Sequence, residues 1–168
     1  MPEAVKTYVR VVEAVNRRVG RFAMYILYVM MAILAWSTIS KITPWPSIWT
    51  LEMAQFAMVA YFMLGGPYSL QLDSNVRMDL LYHRWSPRTR AWVDAFSIFA
   101  LMFYLGVLLY GAVESTAYSI EYAERSPTAW RPYLWPIKVI MCIAVLLMLL
   151  QAIAFFFRDV AKIRGEEL

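Results

Sequence analysis

Charge is missing from four long stretches of this 168-residue chain. No Lys, Arg, Asp or Glu occurs in 22–40, 53–72, 95–113 or 139–157, runs of 19, 20, 19 and 19 residues. A helix rises about 1.5 Å per residue, so roughly 20 residues cross a hydrocarbon core of about 30 Å. A helix on the surface of a soluble core would carry charges on its wet face every turn or so. The absence excludes an ordinary water-soluble domain and predicts an all-α membrane protein with four transmembrane helices. Little chain is left over, so the expectation is a single membrane domain over 1–168 with short connections.

Other absences exclude chemistry. Cys142 is the only cysteine, which rules out an intrachain disulfide and a thiol pair for metal. It reads as a packed small residue. His83 is the only histidine, so bis-histidine haem ligation within the chain is excluded and no multi-ligand zinc site is expected. No glycine-rich phosphate loop occurs, and no Ser, His and acid set can be assembled. The chain is expected to be no enzyme and to hold no cofactor. Ion-coupled transport usually needs an ionisable group deep in the membrane. Here Glu52 and Glu114 lie at span ends, and the interior polar residues, such as Gln55, Ser69, Ser97 and Gln151, suit interhelical hydrogen bonds. The first apolar stretch is longer than a signal-peptide core of about 7–15 residues, so it is read as a retained span.

What is present sets an orientation. The segment before the first span, the loop between the second and third, and the C-terminal tail together hold 12 Lys and Arg; the other two loops hold 4. Positive charge marks the cytoplasmic side, so both termini are expected there. These cations lie at headgroup level, which favours membrane lipids and not nucleic acid as their partners. Trp45, Trp49, Trp130 and Trp135 fall at the outer boundary, and Trp85 and Trp92 at the inner one. Indole rings prefer that depth because the N–H stays wet.

Two surface helices are expected besides the spans. In 3–19, Val5, Tyr8, Val9, Val12, Val15 and Val19 follow helical spacing, with Lys6, Arg10, Glu13 and Arg17 on another face. Such a basic amphipathic helix lies on the inner leaflet. Met78, Leu81, Tyr82 and Trp85 repeat the pattern in the inner loop as a short interfacial helix. Pro44 and Pro46 stop the first span, and Ser47 is expected to cap the second. Glu52 then lies near the positive end of that helix. Gly65-Gly66-Pro67 predicts a kink and a close helix approach. The third helix is expected from Pro87 to about Glu124, since Ser126-Pro127 is the first breaker, and Pro132 and Pro136 bracket the entry to the fourth.

An ordered set of residues then carries a resemblance. It reads Trp49-x-x-Glu52, Gly65-Gly66, Asn75-Val76-Arg77-Met78-Asp79, Ser86-Pro87-Arg88-x-Arg90, Ser126-Pro127, Trp135-Pro136-x-Lys138 and Leu150-Gln151. Over nearly its whole length the chain resembles the small membrane (Q) subunit of tripartite ATP-independent periplasmic (TRAP) transporters. The family pattern before the third span commonly reads His-Val-x-x-Asp, and Asn75 departs from it. The resemblance implies a bacterial inner-membrane complex. A periplasmic binding protein delivers an organic acid, and a large many-helix subunit carries it inward with sodium. The small subunit braces the large one and is a candidate to help dock the binding protein. On that basis Trp49, Glu52, Gly65 and Gly66 become candidate contacts within the assembly. Glu114, Glu121 and Glu124 become a candidate face for the binding protein, and Arg77 and Asp79 a pair or a headgroup contact.

Two other readings compete. A self-sufficient four-helix multidrug exporter needs a carboxylate in the first span, and 22–40 has none. An assembly subunit of a respiratory complex would lack its usual haem ligands.

Overall fold

The computed structural model describes residues 3–43, 47–72 and 87–164. Asn75, Arg77, Asp79, His83 and the expected interfacial helix of the inner loop lie outside the described residues. Four helices account for nearly all of the rest: α1 (Glu3–Ser40), α2 (Thr50–Gln71), α3 (Pro87–Glu121) and α4 (Trp135–Arg164). Among the described residues the only β-type pairing is an isolated bridge between Arg125 and Tyr133.

Three helices carry a run long and apolar enough to cross a membrane, within Glu3–Ser40, Phe96–Glu121 and Trp135–Arg158. Helix α2 has the length, 22 residues, but Gln55 and the run from Gly65 to Ser69 dilute its apolar content. It sits between α1 and α4, while α4 touches all three other helices and α3 packs chiefly on α4.

The expected separate surface helix is corrected by the structure: residues 3–19 are the first half of α1, one unbroken helix of 38 residues. Its apolar stripe has found a protein partner instead of lying on lipid. Val9 and Val12 are buried against Ala154 of α4, with Tyr8, Leu150 and Phe157 around them. Val15, placed in the stripe from spacing, is exposed. Polar groups tie the same seam. Tyr8 Oη donates to the Leu150 carbonyl at 3.1 Å. Arg158 pairs with Glu13 at 3.2 Å. Burial pushes the Tyr8 phenol above its ordinary pKa.

The deeper seams pair alanine with leucine and valine. Ala23, Leu64 and Ala144 join α1, α2 and α4. Leu105, Val145 and Ala152 join α3 and α4. Large side chains point the other way: Phe22, Tyr25, Tyr28, Phe96, Phe99 and Phe103 are all more than 60% exposed. In lipid no hydrophobic force separates apolar side chains from solvent, so association relies on backbones that approach closely at small residues.

One polar contact lies inside this packing. Asn16 Nδ2 donates to Gln151 Oε1 at 2.6 Å, and both side chains are fully buried. The remaining atoms of the pair, Asn16 Oδ1 and Gln151 Nε2, have no partner. Removing one amide strands the other, which costs about 1–3 kcal/mol, whereas replacing both by apolar groups of similar shape is close to neutral. Asn16→Leu and Gln151→Leu should each destabilise the protein by about that much, and the double variant should recover most of the loss. Unfolding in a mild detergent measures it; a double variant as weak as the sum of the singles would refute this account of the pair.

Candidate functional site

Between α1 and α2 a ladder of hydroxyls closes the turn. Ser40 Oγ and Ser47 Oγ lie 2.7 Å apart, and Thr50 Oγ1 donates to Ser37 Oγ at 3.2 Å. Ser47 is engaged in this ladder and does not cap α2, contrary to expectation. The N-cap residue is Trp49, and no side chain caps the helix. Glu52 lies in the first turn of α2, as the sequence placed it, where the helix dipole favours a carboxylate. It is buried, and its Oε2 has no partner. Trp49 remains more than a third exposed beside it.

The C-terminal end of α3 is closed by its backbone. Ala123 has a left-handed φ of 46°, Glu124 N donates to the Ser119 carbonyl at 3.1 Å, and Ala123 N donates to the Ile120 carbonyl at 3.4 Å. This is the paired 6→1 and 5→2 geometry that ends helices, with alanine where glycine is usual. The chain then forms a short hairpin: Ser126 N donates to the Pro132 carbonyl and Leu134 N to the Glu124 carbonyl. Arg125 covers the Tyr133 ring at 4.3 Å. Below it, Thr116 and Cys142 meet across the α3–α4 seam at 3.1 Å, so the lone thiol is a packing residue.

Glu114, Glu121 and Glu124 do not act as one surface. Glu114 and Glu121 are exposed, seven residues apart on one face of α3, and Glu114 accepts from Tyr110 Oη. Glu124 turns back onto its own protein, accepting from Ser119 Oγ and pairing with Lys138 Nζ at 2.7 Å. The Lys138 hydrogen bond, aided by Ser119, holds its carboxyl below the ordinary glutamate value of 4.5. A depressed carboxyl stabilises the folded state above its unfolded pKa, and that contribution fades as pH falls through the folded value. The melting temperature of the native protein should therefore exceed that of Glu124→Gln at neutral pH, and the gap should close as pH is lowered beneath the glutamate range. A gap that stays constant down to strong acid would remove Glu124 as its cause.

Helix α2 runs unbroken through Gly65, Gly66 and Pro67 to Gln71. The two glycines have different surroundings. A Cβ on Gly66 would meet Met148 Cε at 2.8 Å, whereas one on Gly65 would meet nothing within 4 Å. Gly65 opens instead onto a groove of about 470 Å³ between α1, α2 and α4, which Gly66, Tyr61, Phe62 and Met148 also line. The tightest approach is at a glycine that spacing arguments passed over: a Cβ on Gly20 would lie 2.4 Å from the Tyr68 ring. Its signal was available, since Gly20 continues the buried stripe of Val9, Val12 and Asn16 by helical steps.

These surroundings predict a graded series. Gly20→Ala should destabilise by about 1–3 kcal/mol, because an aromatic ring and a helix must both move. Gly66→Ala should cost less, since only the flexible end of Met148 must give way. Gly65→Ala should be neutral or stabilising by up to about 1 kcal/mol through helix propensity. Thermal unfolding of the three variants in detergent checks the order; equal effects at Gly20 and Gly65 would contradict it.

Among the described residues no three His, Cys, Asp or Glu side chains come together as a metal site. The groups that do converge make helix seams, capped ends and apolar faces, which suit contact with lipid or other helices. A comparison with curated proteins finds no match. A family model described as "Tripartite ATP-independent periplasmic transporters, DctQ component" matches residues 30–162, covering the C-terminal end of α1, all of α2 and α3, and nearly all of α4. The chain belongs to the DctQ family, the small membrane component of TRAP transporters.

Proposed function

We propose that this chain braces the large many-helix subunit of a sodium-coupled TRAP transporter that imports an organic acid, and helps to dock the periplasmic binding protein. Family membership over residues 30–162 carries the reading. It is supported by spans that hold no charged residue, leaving ion coupling to the other membrane subunit. Helix α2 serves as the fourth span, both termini are cytoplasmic, and the membrane is the bacterial inner membrane, as the distribution of Lys and Arg indicates.

The bracing face is assigned to α3. That helix rests chiefly on α4, and Phe96, Phe99, Phe103, Val107 and Tyr110 on its opposite side are uncovered. Gly106 and Gly111 flank them with open space at Cβ, room for another helix to approach. For the binding protein the exposed Glu114 and Glu121, with Trp49 across the outer end, are the available contacts. Glu52 supports them from its buried place, and Arg77 and Asp79 are assigned to the inner headgroup level.

Deleting the chain should abolish uptake while the soluble binding protein still binds its ligand. The intact chain should co-purify with a larger membrane protein, and Gly106→Phe should weaken that association about tenfold or more, the loss expected when a bulky ring blocks close helix packing. Transport by this chain alone in liposomes would overturn the proposal. A C-terminal alkaline phosphatase fusion should be inactive, and an active one would reverse the orientation.

A further inference from the structure

The groove beside Gly65 has a length, a depth and a charged mouth. Along α2 it extends from Tyr61 and Phe62 to Leu72. Ten residues of helix rise about 15 Å, half of a hydrocarbon core of about 30 Å. One end is thus at the inner boundary, where Gly20 packs on Tyr68, and the other is near the bilayer centre. Its walls are largely apolar and aromatic: Met24 from α1, Phe62 and Tyr68 from α2, and Met148 from α4. Those dimensions match one acyl chain of one leaflet.

The mouth is basic. Arg17 and Arg21 precede Met24 by seven and three residues, so the three share one flank of α1. Both arginines are exposed, and neither forms an ion pair among the described residues. Arg18 lies about 100° around the helix from Arg17, toward Phe22 and Tyr25 and further from the groove. A guanidinium pair above an apolar slot is the chemistry of a phosphate headgroup with its chain held below. We infer that α1, α2 and α4 form a specific site for an anionic phospholipid of the inner leaflet, with the headgroup on Arg17 and Arg21 and one acyl chain in the groove along Gly65.

This rests on the proposed placement of α1 and α2 as spans. Uptake after deletion tests that placement and lipid retention tests the site, so either can fail without the other. The full-length chain, with any subunit that co-purifies, is stripped in mild detergent and titrated with phosphatidylglycerol, phosphatidylcholine or inorganic phosphate. Native mass spectrometry counts what stays bound. Phosphatidylglycerol should be retained over phosphatidylcholine. Arg17→Gln with Arg21→Gln should weaken it about thirtyfold, at roughly 1 kcal/mol per juxtamembrane arginine. Arg18→Gln, the same loss of charge further from the groove, should weaken it less than Arg17→Gln. Gly65→Leu should also displace the lipid, and since Gly65 faces open space, its melting temperature should not fall. Equal retention of both lipids would overturn the site. So would equal loss at Arg18 and Arg17, competition by inorganic phosphate alone, or a Gly65→Leu variant that keeps its lipid. Loss of a co-purifying subunit in Gly65→Leu, with lipid binding unchanged, would assign the groove to a protein helix instead.

Discussion

At Gly20 the α1 backbone lies against the ring of Tyr68, and no side chain larger than hydrogen fits between them. The rest of the molecule depends on that approach. It brings α1 close enough to α2 for Ala23 to reach Leu64 and Ala144. It also aligns the first half of α1 with α4, where Val9, Val12 and Asn16 find their partners. In a bilayer, burying apolar area from water gives no advantage between helices, so dispersion between closely packed backbones must hold the assembly. That reverses the usual division of side chains. Alanine, with valine and leucine, fills much of the interior, and many Phe and Tyr side chains face outward.

Polar interactions are placed where this packing alone would leave the ends loose. The hydroxyl ladder from Ser37 to Thr50 closes the α1–α2 corner and the Glu124–Lys138 pair with its hairpin closes the α3–α4 corner. At the opposite end, Glu13 and Arg158 join α1 to α4. These bonds sit near water, where an ion pair contributes little by itself but fixes the register of helices already in contact. The Asn16–Gln151 pair is of a different kind. It is fully buried, so its effect lies less in net energy than in the cost of any register that separates the two amides.

Much of the architecture was legible because charge patterning at the bilayer scale is a strong signal. The four charge-free runs gave helices whose ends fall near where breakers predicted them, with α3 running from Pro87 to Glu121. Three readings needed the third dimension. The valine stripe of 3–19 was legible as an amphipathic face, but periodicity cannot distinguish a face that meets lipid from one that meets another helix. Ser47 has the right residue type and position for a cap, yet neighbouring hydroxyls compete for it. The Gly65-Gly66 pair drew notice as adjacent glycines, whereas the contact that needs glycine lies at Gly20, isolated in sequence and opposite an aromatic ring. Glu114, Glu121 and Glu124 looked equivalent as a string of acids, and only the helix-ending turn at Ala123 separates the paired one from the other two.

Helix α1 is longer than the bilayer it meets. Its 38 residues span about 57 Å, nearly twice a hydrocarbon core of about 30 Å. Because its first half is bonded along α4 and is not free to swing at a hinge, the membrane-spanning and protruding parts form one stiff strut. Any tilt imposed on the buried half by a neighbouring subunit is then delivered, undiminished and with a longer arm, to the end that stands in water.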